Sequence, residues 1–322
     1  MPVSTEFISK VRENVGKVVV GQDEVVERTL IALFTGGHLL LQGMPGLAKT
    51  LLVNTIAKVI DLDFKRIQFT IDLLPSDIVG SEILDQNKGE FFTRKGPIFT
   101  NLMLADEINR AAPKVQSALL EAMQERKVTI GNESYRLPVP FVVIATQNPI
   151  EQSGTFELPE AQLDRFMMCH RLNYPKPDEE EEVLRRNLKL GLNREGKGAI
   201  SKTEFDVLSD GPVGGAAELS VAMEEVHKVH VSDVFIKHVV EFIGRTRNHP
   251  ELELGCSPRA GIALTQGARA RSLIHGRDYV IPEDLFVLAE DVVLHRIRLN
   301  YESLAEGRSG SDVLKDILDR IG

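Results

Sequence analysis

The residues with the most evident chemistry lie in a glycine-rich loop that begins at Gly43 and ends at Thr50. The loop reads GMPGLAKT, follows the apolar run Leu39 to Leu41 and opens a helical pattern, which is the context of a phosphate-binding loop. Backbone N–H groups in such a loop wrap a β-phosphate, a lysine reaches the β- and γ-phosphates, and a Thr hydroxyl binds Mg²⁺. The predicted nucleotide-binding residues are Gly43, Pro45, Gly46, Leu47, Ala48, Lys49, Thr50 and Leu51.

Position 48 departs from the usual phosphate-loop pattern, which has glycine where this chain has Ala48. A methyl group is tolerated there if the residue has a negative φ, so we expect that backbone angle. An ordinary turn rich in Gly and Pro is the alternative interpretation of the loop.

Two adjacent carboxylates, Asp106 and Glu107, follow the apolar run Leu102 to Ala105. Carboxylates at the end of a buried strand are costly unless they are used. We predict that Asp106 holds Mg²⁺ through water and that Glu107 orients the attacking water. An acidic strand end without catalytic function is the alternative, which the phosphate loop upstream disfavours.

Asn148 follows the predicted strand Phe141 to Ala145. Its amide would lie near the γ-phosphate if that strand lies between the first and third strands of the sheet, where it could sense the state of the phosphate. A turn-forming Asn before Pro149 is the alternative.

Two arginines complete the candidate site. Arg165 follows a short helix that begins at Pro159, and its guanidinium could reach a γ-phosphate held by a neighbouring subunit; a surface arginine paired with Asp164 is the alternative. Arg259 lies in the first turn of a helix that Ser257 caps, from which it could report nucleotide state. Its alternative is an ordinary arginine near a helix cap.

The elements that position these residues form an α/β pattern, in which short apolar strands alternate with amphipathic helices. We predict an αβα sandwich around a five-stranded parallel sheet in residues 1–175, followed by a smaller all-α lid in residues 176–322. The strands are predicted at His38 to Gln42, Phe64 to Thr70, Leu102 to Ala105, Phe141 to Ala145 and Phe166 to Leu172. The helices are predicted at Lys49 to Ile60, Lys114 to Arg126, Leu219 to Val229, Val234 to Asn248, Pro258 to His275 and Pro282 to Leu294.

Composition restricts the partners and the compartment. The formal net charge is −9, so neutralisation of nucleic-acid phosphates gains little and nucleic acid is a disfavoured partner. Cys169 and Cys256 lie far apart without metal-ligand spacing, which favours buried thiols in a reducing compartment. The start of the chain has no signal-peptide pattern, and no segment is apolar enough to span a membrane. We therefore expect a cytoplasmic protein without membrane insertion.

Several longer strings together resemble the MoxR family of AAA+ ATPases over nearly the whole chain. They are VGQ at 20–22, GMPGLAKT, DLLPSDIVGSEIL, RKGPIF, LADEINRAAPKVQSALLEAMQE, ATQNPIEQSGTFELPEAQLDRF and CSPRA. The resemblance implies ATP and Mg²⁺ as cofactors and accommodates the alanine at position 48. It also implies the roles given above for the site residues and adds Val20, Gly21 and Gln22 beside the adenine.

The same resemblance implies two hairpin insertions directed toward a pore or a client. One runs from Ile78 to Phe99 and turns at Asn87, Lys88 and Gly89, and the other runs from Val128 to Leu137 and turns at Gly131 and Asn132; simple solubilising loops are the alternative. By analogy the chain forms a ring, most often of six copies. It would act as a chaperone-like remodeller or maturation factor, often with a von Willebrand factor A domain protein as partner.

Other functions stay open at the level of sequence. A nucleotide-gated scaffold with slow turnover is one, and a motor subunit like those of magnesium chelatase or of transcription activators is another. The stretch Gly191 to Ala217 carries no recognised motif.

Overall fold

A five-stranded parallel sheet forms the centre of the first half of the chain. The computed structural model describes residues 4–87, 89–149, 154–195, 198–208 and 211–321. In spatial order the strands are β2 (Phe64–Gln68), β5 (Leu102–Asp106), β8 (Val142–Gln147), β1 (Leu39–Gln42) and β9 (Met168–Arg171). The predicted position of β8, between β5 and β1, is confirmed.

Each face of the sheet carries its own apolar layer, because successive side chains of a strand point to opposite faces. Leu39 and Leu41 belong to one hydrophobic cluster, whereas Leu40 between them belongs to the other. The first cluster continues into the second half of the chain, and the second packs under α5 (Pro113–Glu125). The sheet is therefore buried on both faces, as a parallel sheet requires.

The remaining elements of the first half flank this sheet. They are α1 (Thr5–Val18), α2 (Asp23–Thr35), α3 (Lys49–Val59), α4 (Pro75–Val79), α6 (Glu160–Leu163), the hairpin β3 (Gly80–Asp85) with β4 (Glu90–Lys95), and the hairpin β6 (Lys127–Ile130) with β7 (Glu133–Arg136). Both predicted hairpins are present. Lys88 of the first predicted turn lies outside the described residues.

The two hairpins contact each other. The Tyr135 hydroxyl lies 2.9 Å from the Thr93 hydroxyl, and its ring packs edge-on against Phe99. Lys95 lies over both rings. The hairpins therefore form one surface rather than two separate loops.

The second half is predominantly helical, as predicted. It contains α7 (Pro177–Lys189), α8 (Ala216–Lys228), α9 (Asp233–Arg247), α10 (Pro258–Ile274), α11 (Pro282–Val293), α12 (Tyr301–Ala305) and α13 (Gly310–Leu318). The antiparallel pairs β10 (Leu192–Glu195) with β11 (Gly198–Ser201), and β12 (Leu252–Leu254) with β13 (Arg298–Leu299), differ from the all-α prediction.

The two halves share buried charges as well as apolar contacts. Arg28 of α2 donates to Asp291 of α11 at 2.5 Å, and Asp291 also lies 2.8 Å from the His170 ring nitrogen on β9. The division after residue 175 stays a prediction, because one apolar cluster crosses it. Across the described ranges, no helix is both long and apolar enough to cross a membrane.

Candidate functional site

The glycine-rich loop joins β1 to α3 at the carboxyl edge of the sheet. Gly43 is buried, its N–H donates to the carbonyl of Gln147 at the end of β8, and a Cβ there would lie 2.8 Å from Leu172. Gly46 has φ +88°, a conformation that favours glycine. The Lys49 ammonium donates to the Gly43 carbonyl at 2.8 Å and so closes the loop.

Residue 48 corrects the expectation of a negative φ, because Ala48 has φ 54° and ψ 22°. A positive φ at residues 46 and 48 is compatible with an anion-binding nest, in which successive backbone N–H groups point inward. This geometry requires a conformation that is strained by roughly 1–2 kcal/mol for a residue with a Cβ. The loop therefore keeps its anion-binding shape despite the alanine.

The charge of Lys49 is balanced by the two adjacent carboxylates. Burial lowers the pKa of Lys49, while the negative charges of Asp106 and Glu107 act in the opposite direction. Lys49 begins α3 directly after the loop that follows β1, on the same edge of the sheet as the end of β5. A half-buried ammonium at an edge with two carboxylates suits a triphosphate with its metal ion.

Neighbouring strands hold the two carboxylates. Asp106 accepts a hydrogen bond of 2.6 Å from the Thr146 hydroxyl, which itself accepts from the Glu107 N–H at 2.8 Å. Arg66 of β2 forms an ion pair of 2.6 Å with the other Asp106 oxygen. Thr146 thus joins the end of β5 to the end of β8.

Glu107 is held from two sides. Its carboxylate accepts from the Gln68 amide at 2.7 Å and pairs with Arg110 at 3.1 Å. Glu107 also has φ 56°, which turns its side chain away from the strand direction. A carboxylate positioned at a strand end, and only partly buried, can accept a proton from water.

Asn148 is buried directly after β8. Since β8 lies between β1 and β5, the carboxyl edge brings Asn148 between the loop and the carboxylates. Thr50 lies half-buried in the first turn of α3.

A cavity of about 1000 Å³ adjoins the phosphate loop. Loop residues from Pro45 to Ala48, together with Leu51, form one wall, and Val20 and Gln22 lie beside them. Gly21 has φ +69° and a Cβ there would overlap Glu179 of α7. The opposite wall comes from Tyr174 and α7. The surface of the whole cavity is mainly apolar, which suits a nucleotide base.

The two predicted arginines lie at the other end of the sheet. Arg165 and Arg259 line a second cavity of about 320 Å³ with Arg126, next to the segment Thr35 to His38 that precedes β1. At ~3.3 Å per residue, the five steps from His38 to Gly43 along β1 separate this cavity from the phosphate loop by roughly 16 Å. Neither arginine belongs to the phosphate site of its own chain.

Asp164, next to Arg165, contacts several other side chains. The carboxylate pairs with Arg296 at 2.7 Å, accepts from the Ser257 hydroxyl at 3.0 Å and lies 3.7 Å from Arg259. Arg165 itself is half-buried rather than exposed.

Four residues that contact or line the two parts of the candidate site were not predicted from the sequence: Arg66, Gln68, Thr146 and Arg126. Arg66 and Gln68 lie two residues apart on β2 and so share one face of the strand. This spacing is the signal in the sequence that could have identified them. It becomes informative only once β2 is known to pair with β5. Arg126 has φ 52° after the end of α5, and no local pattern marks it.

Comparison with known proteins gives the following similarities. Residues 38–168 match the ATPase family associated with various cellular activities (AAA), and residues 244–317 match the AAA lid domain. The chain is 43% identical to the uncharacterised protein YeaC of Bacillus subtilis (strain 168), over 98% of this chain and 94% of that protein. It is also 43% identical to Chaperone MoxR1 of Mycobacterium tuberculosis, over 95% of this chain and 80% of that protein.

A solved structure is similar throughout. The crystal structure of a protein from Cytophaga hutchinsonii, described as a candidate ATPase, superposes with a TM-score of 0.87 at 45% identity. The match covers 99% of this chain and 95% of that chain.

Proposed function

The chain belongs to the MoxR family of AAA+ ATPases, and from this premise we propose that it hydrolyses ATP at sites shared between neighbouring copies in a ring. The observation that supports hydrolysis is that the fold brings Lys49, Asp106 and Glu107 to one edge of the sheet. Lys49 begins α3 after the loop that follows β1, whereas Asp106 ends β5 and Glu107 comes directly after it. The negative charges of both carboxylates also raise the pKa of Lys49, against the effect of burial.

Each residue of this edge has a distinct task in the proposal. The loop N–H groups and Lys49 bind the β- and γ-phosphates, and Glu107 accepts a proton from the attacking water. Gln68 and Arg110 fix the Glu107 carboxylate in place. Asn148 senses the γ-phosphate from the neighbouring strand. Val20, Gly21 and Gln22 flank the base.

Thr50 and Asp106 are the proposed Mg²⁺ residues, Asp106 through water. Their hydroxyl and carboxylate oxygens are ligands that suit this hard cation. When bound, Mg²⁺ would neutralise negative charge on the phosphates.

The second half of the site comes from another copy. Arg165 and Arg259 lie beyond the reach of their own phosphate loop but share one basic cavity with Arg126. A guanidinium there can stabilise the charge that develops on a neighbour's γ-phosphate. Arg259 therefore acts between chains in this proposal, as Arg165 does.

Work on a protein client is the proposed use of the turnover. The name of MoxR1 as a chaperone supports this, and the joined hairpins β3–β4 and β6–β7 are the proposed client surface. Exposed Phe91 and Phe92 on β4 supply apolar contact area there. A ring of six and a von Willebrand factor A domain partner are the finer parts of the proposal.

Glu107→Gln tests the catalytic assignment. It removes the proton acceptor but keeps the shape of the side chain, so we expect phosphate release to fall by at least about 100-fold while ATP binding is retained. Glu121→Gln, on the exposed face of α5, is the matched control and should turn over normally. Wild-type phosphate release by Glu107→Gln would overturn the assignment.

A further inference from the structure

Arg296, a side chain of the second half, contacts four oxygen atoms of the segment from Asp164 to Met167, which contains Arg165. The ring of His295 beside it also lies 3.3 Å from the Phe166 carbonyl. Arg296 ends the 3₁₀ turn Leu294–Arg296. Its Nη2 donates to the carbonyl oxygens of Phe166 at 2.6 Å and Asp164 at 3.3 Å, and its Nη1 donates to that of Met167 at 3.2 Å. Its Nε donates to the Asp164 carboxylate at 2.7 Å. Arg296 therefore fixes the backbone on both sides of Arg165.

The same carboxylate reaches the helix that carries Arg259. Ser257 donates its hydroxyl to Asp164 at 3.0 Å and accepts from the Arg259 N–H at 3.2 Å as the cap of α10. Through Asp164 and Ser257, the contacts of Arg296 extend from one arginine of the basic cavity to the other.

The burial of Arg296 makes this arrangement costly to keep. Its side chain is 3% exposed, and burial lowers its pKa while Asp164 opposes that shift. Buried ion pairs contribute little net stability compared with apolar packing. A planar guanidinium can, however, bind several fixed oxygens at once. The benefit of Arg296 is therefore the geometry that it imposes on these oxygens rather than added stability.

We propose that Arg296 is a positioning residue for hydrolysis in the neighbouring copy, because it holds Arg165 and Arg259 as one unit directed at that copy's nucleotide. The inference rests on the proposed function.

Arg296→Lys keeps the charge but loses the planar set of donors. We expect its phosphate release to fall by about 100-fold, the order of effect that a misplacement of about 1 Å produces. Binding of a fluorescent ATP analogue should be unchanged, because Arg296 does not line the cavity beside the phosphate loop. Arg308→Lys is the matched control. Arg308 is another arginine of the second half, and it pairs with the carboxylates of Glu251 and Asp316; this variant should turn over normally.

Subunit mixing separates positioning from a general structural defect. Arg296→Lys subunits mixed with Glu107→Gln subunits should regain turnover, because the latter bring an intact arginine face to an intact phosphate loop. Mixed with Arg165→Ala subunits they should regain none, because both then lack that face. The reverse pattern, or wild-type turnover by Arg296→Lys alone, overturns the inference.

A second variant covers the case in which Arg296→Lys does not fold. Ser257→Ala removes one hydroxyl of the same contacts, and we expect a smaller loss of turnover with the same mixing pattern; wild-type turnover would overturn the inference. Wild-type turnover by Arg165→Ala would instead overturn the proposed shared site, and this inference with it.

Discussion

Ala48 has a left-handed backbone conformation, which costs the loop local stability. Its neighbour Gly46 is also left-handed but has no Cβ to strain. In the phosphate loop the positive φ is therefore unstrained at Gly46 and strained at Ala48.

Ala48→Gly should raise the free energy of unfolding by about 0.5–1 kcal/mol, because relief of the left-handed strain exceeds the added freedom of the unfolded chain. Denaturant unfolding measures this. Ala118→Gly in the interior of α5 should lower the same quantity by about 1 kcal/mol. An equal decrease in the free energy of unfolding for Ala48→Gly and Ala118→Gly would show that the backbone at residue 48 is not strained.

His38 supplies a pH-dependent contact just before β1. The Val143 N–H donates to its Nδ1 at 3.0 Å, and its Nε2 lies 3.2 Å from the Met123 carbonyl. Only the neutral ring protonated at Nε2 satisfies both contacts. Burial lowers the pKa of His38 to about 4.

The contribution of His38 to stability is therefore present above its unfolded pKa of about 6.5 and is lost as pH falls toward 4, because the unfolded chain binds the proton first. Of the free energy of unfolding that is lost on acidification, we expect about 3 kcal/mol to come from His38. In urea unfolding at pH 7 and pH 4, His38→Asn should be less stable at pH 7 but lose less on acidification. Exposed His227→Asn should follow the wild type, and an unchanged pH dependence in His38→Asn would contradict the assignment.

Residues within local motifs could be predicted from the sequence, whereas their supports could not. The loop and the Asp106–Glu107 pair are contiguous in the chain, so their chemistry can be inferred without a fold. Gln68 and Thr146 act through strand pairing, which a single sequence does not determine. The predicted sign of φ at Ala48 was wrong, because the methyl group alone favours a negative φ whereas the loop backbone has a left-handed turn there.

At the scale of elements, α7 links the cavity beside the phosphate loop to the rest of the fold. It has no buried residue, and Arg186 donates to the carbonyl oxygens of Gly16 at 2.7 Å and Lys17 at 2.9 Å. These carbonyls lie near the end of α1, which a cation suits. Arg186 therefore fixes α7 as a wall of the cavity.

Arg186→Met should weaken ATP binding by about tenfold, because loss of a charge-assisted hydrogen bond is worth roughly 1.5 kcal/mol. Turnover at saturating ATP should be retained, since the phosphate edge is intact. Titration with a fluorescent analogue measures this, and Arg185→Met is the control because Arg185 pairs with Glu181 of its own helix. An unchanged affinity in Arg186→Met would show that α7 does not contribute to binding.

Elements with a marked sequence period were predicted best, although the long helices α1 and α2 were not predicted. The helix period identified α5, α9 and α10 to within one residue at each end, and apolar runs located all five strands of the sheet. The pair β12–β13 was missed because strands of three and two residues are too short to show an alternating pattern.

The whole molecule presents two different halves of one candidate site. The phosphate loop lies at the carboxyl edge of the sheet and the basic cavity at the amino edge. Contacts between such unlike surfaces are heterologous, and a ring forms when their rotation closes. Hydrolysis should therefore depend on assembly rather than on the single chain.

Mixing Arg165→Ala subunits with Glu107→Gln subunits tests the shared site most directly. Each variant alone should release almost no phosphate. In an equal mixture, about one quarter of the contacts should join an intact phosphate edge to an intact arginine, so phosphate release should recover to about that fraction of wild type. A mixture that stays inactive at every ratio, although the subunits co-assemble, would contradict a site formed by two chains.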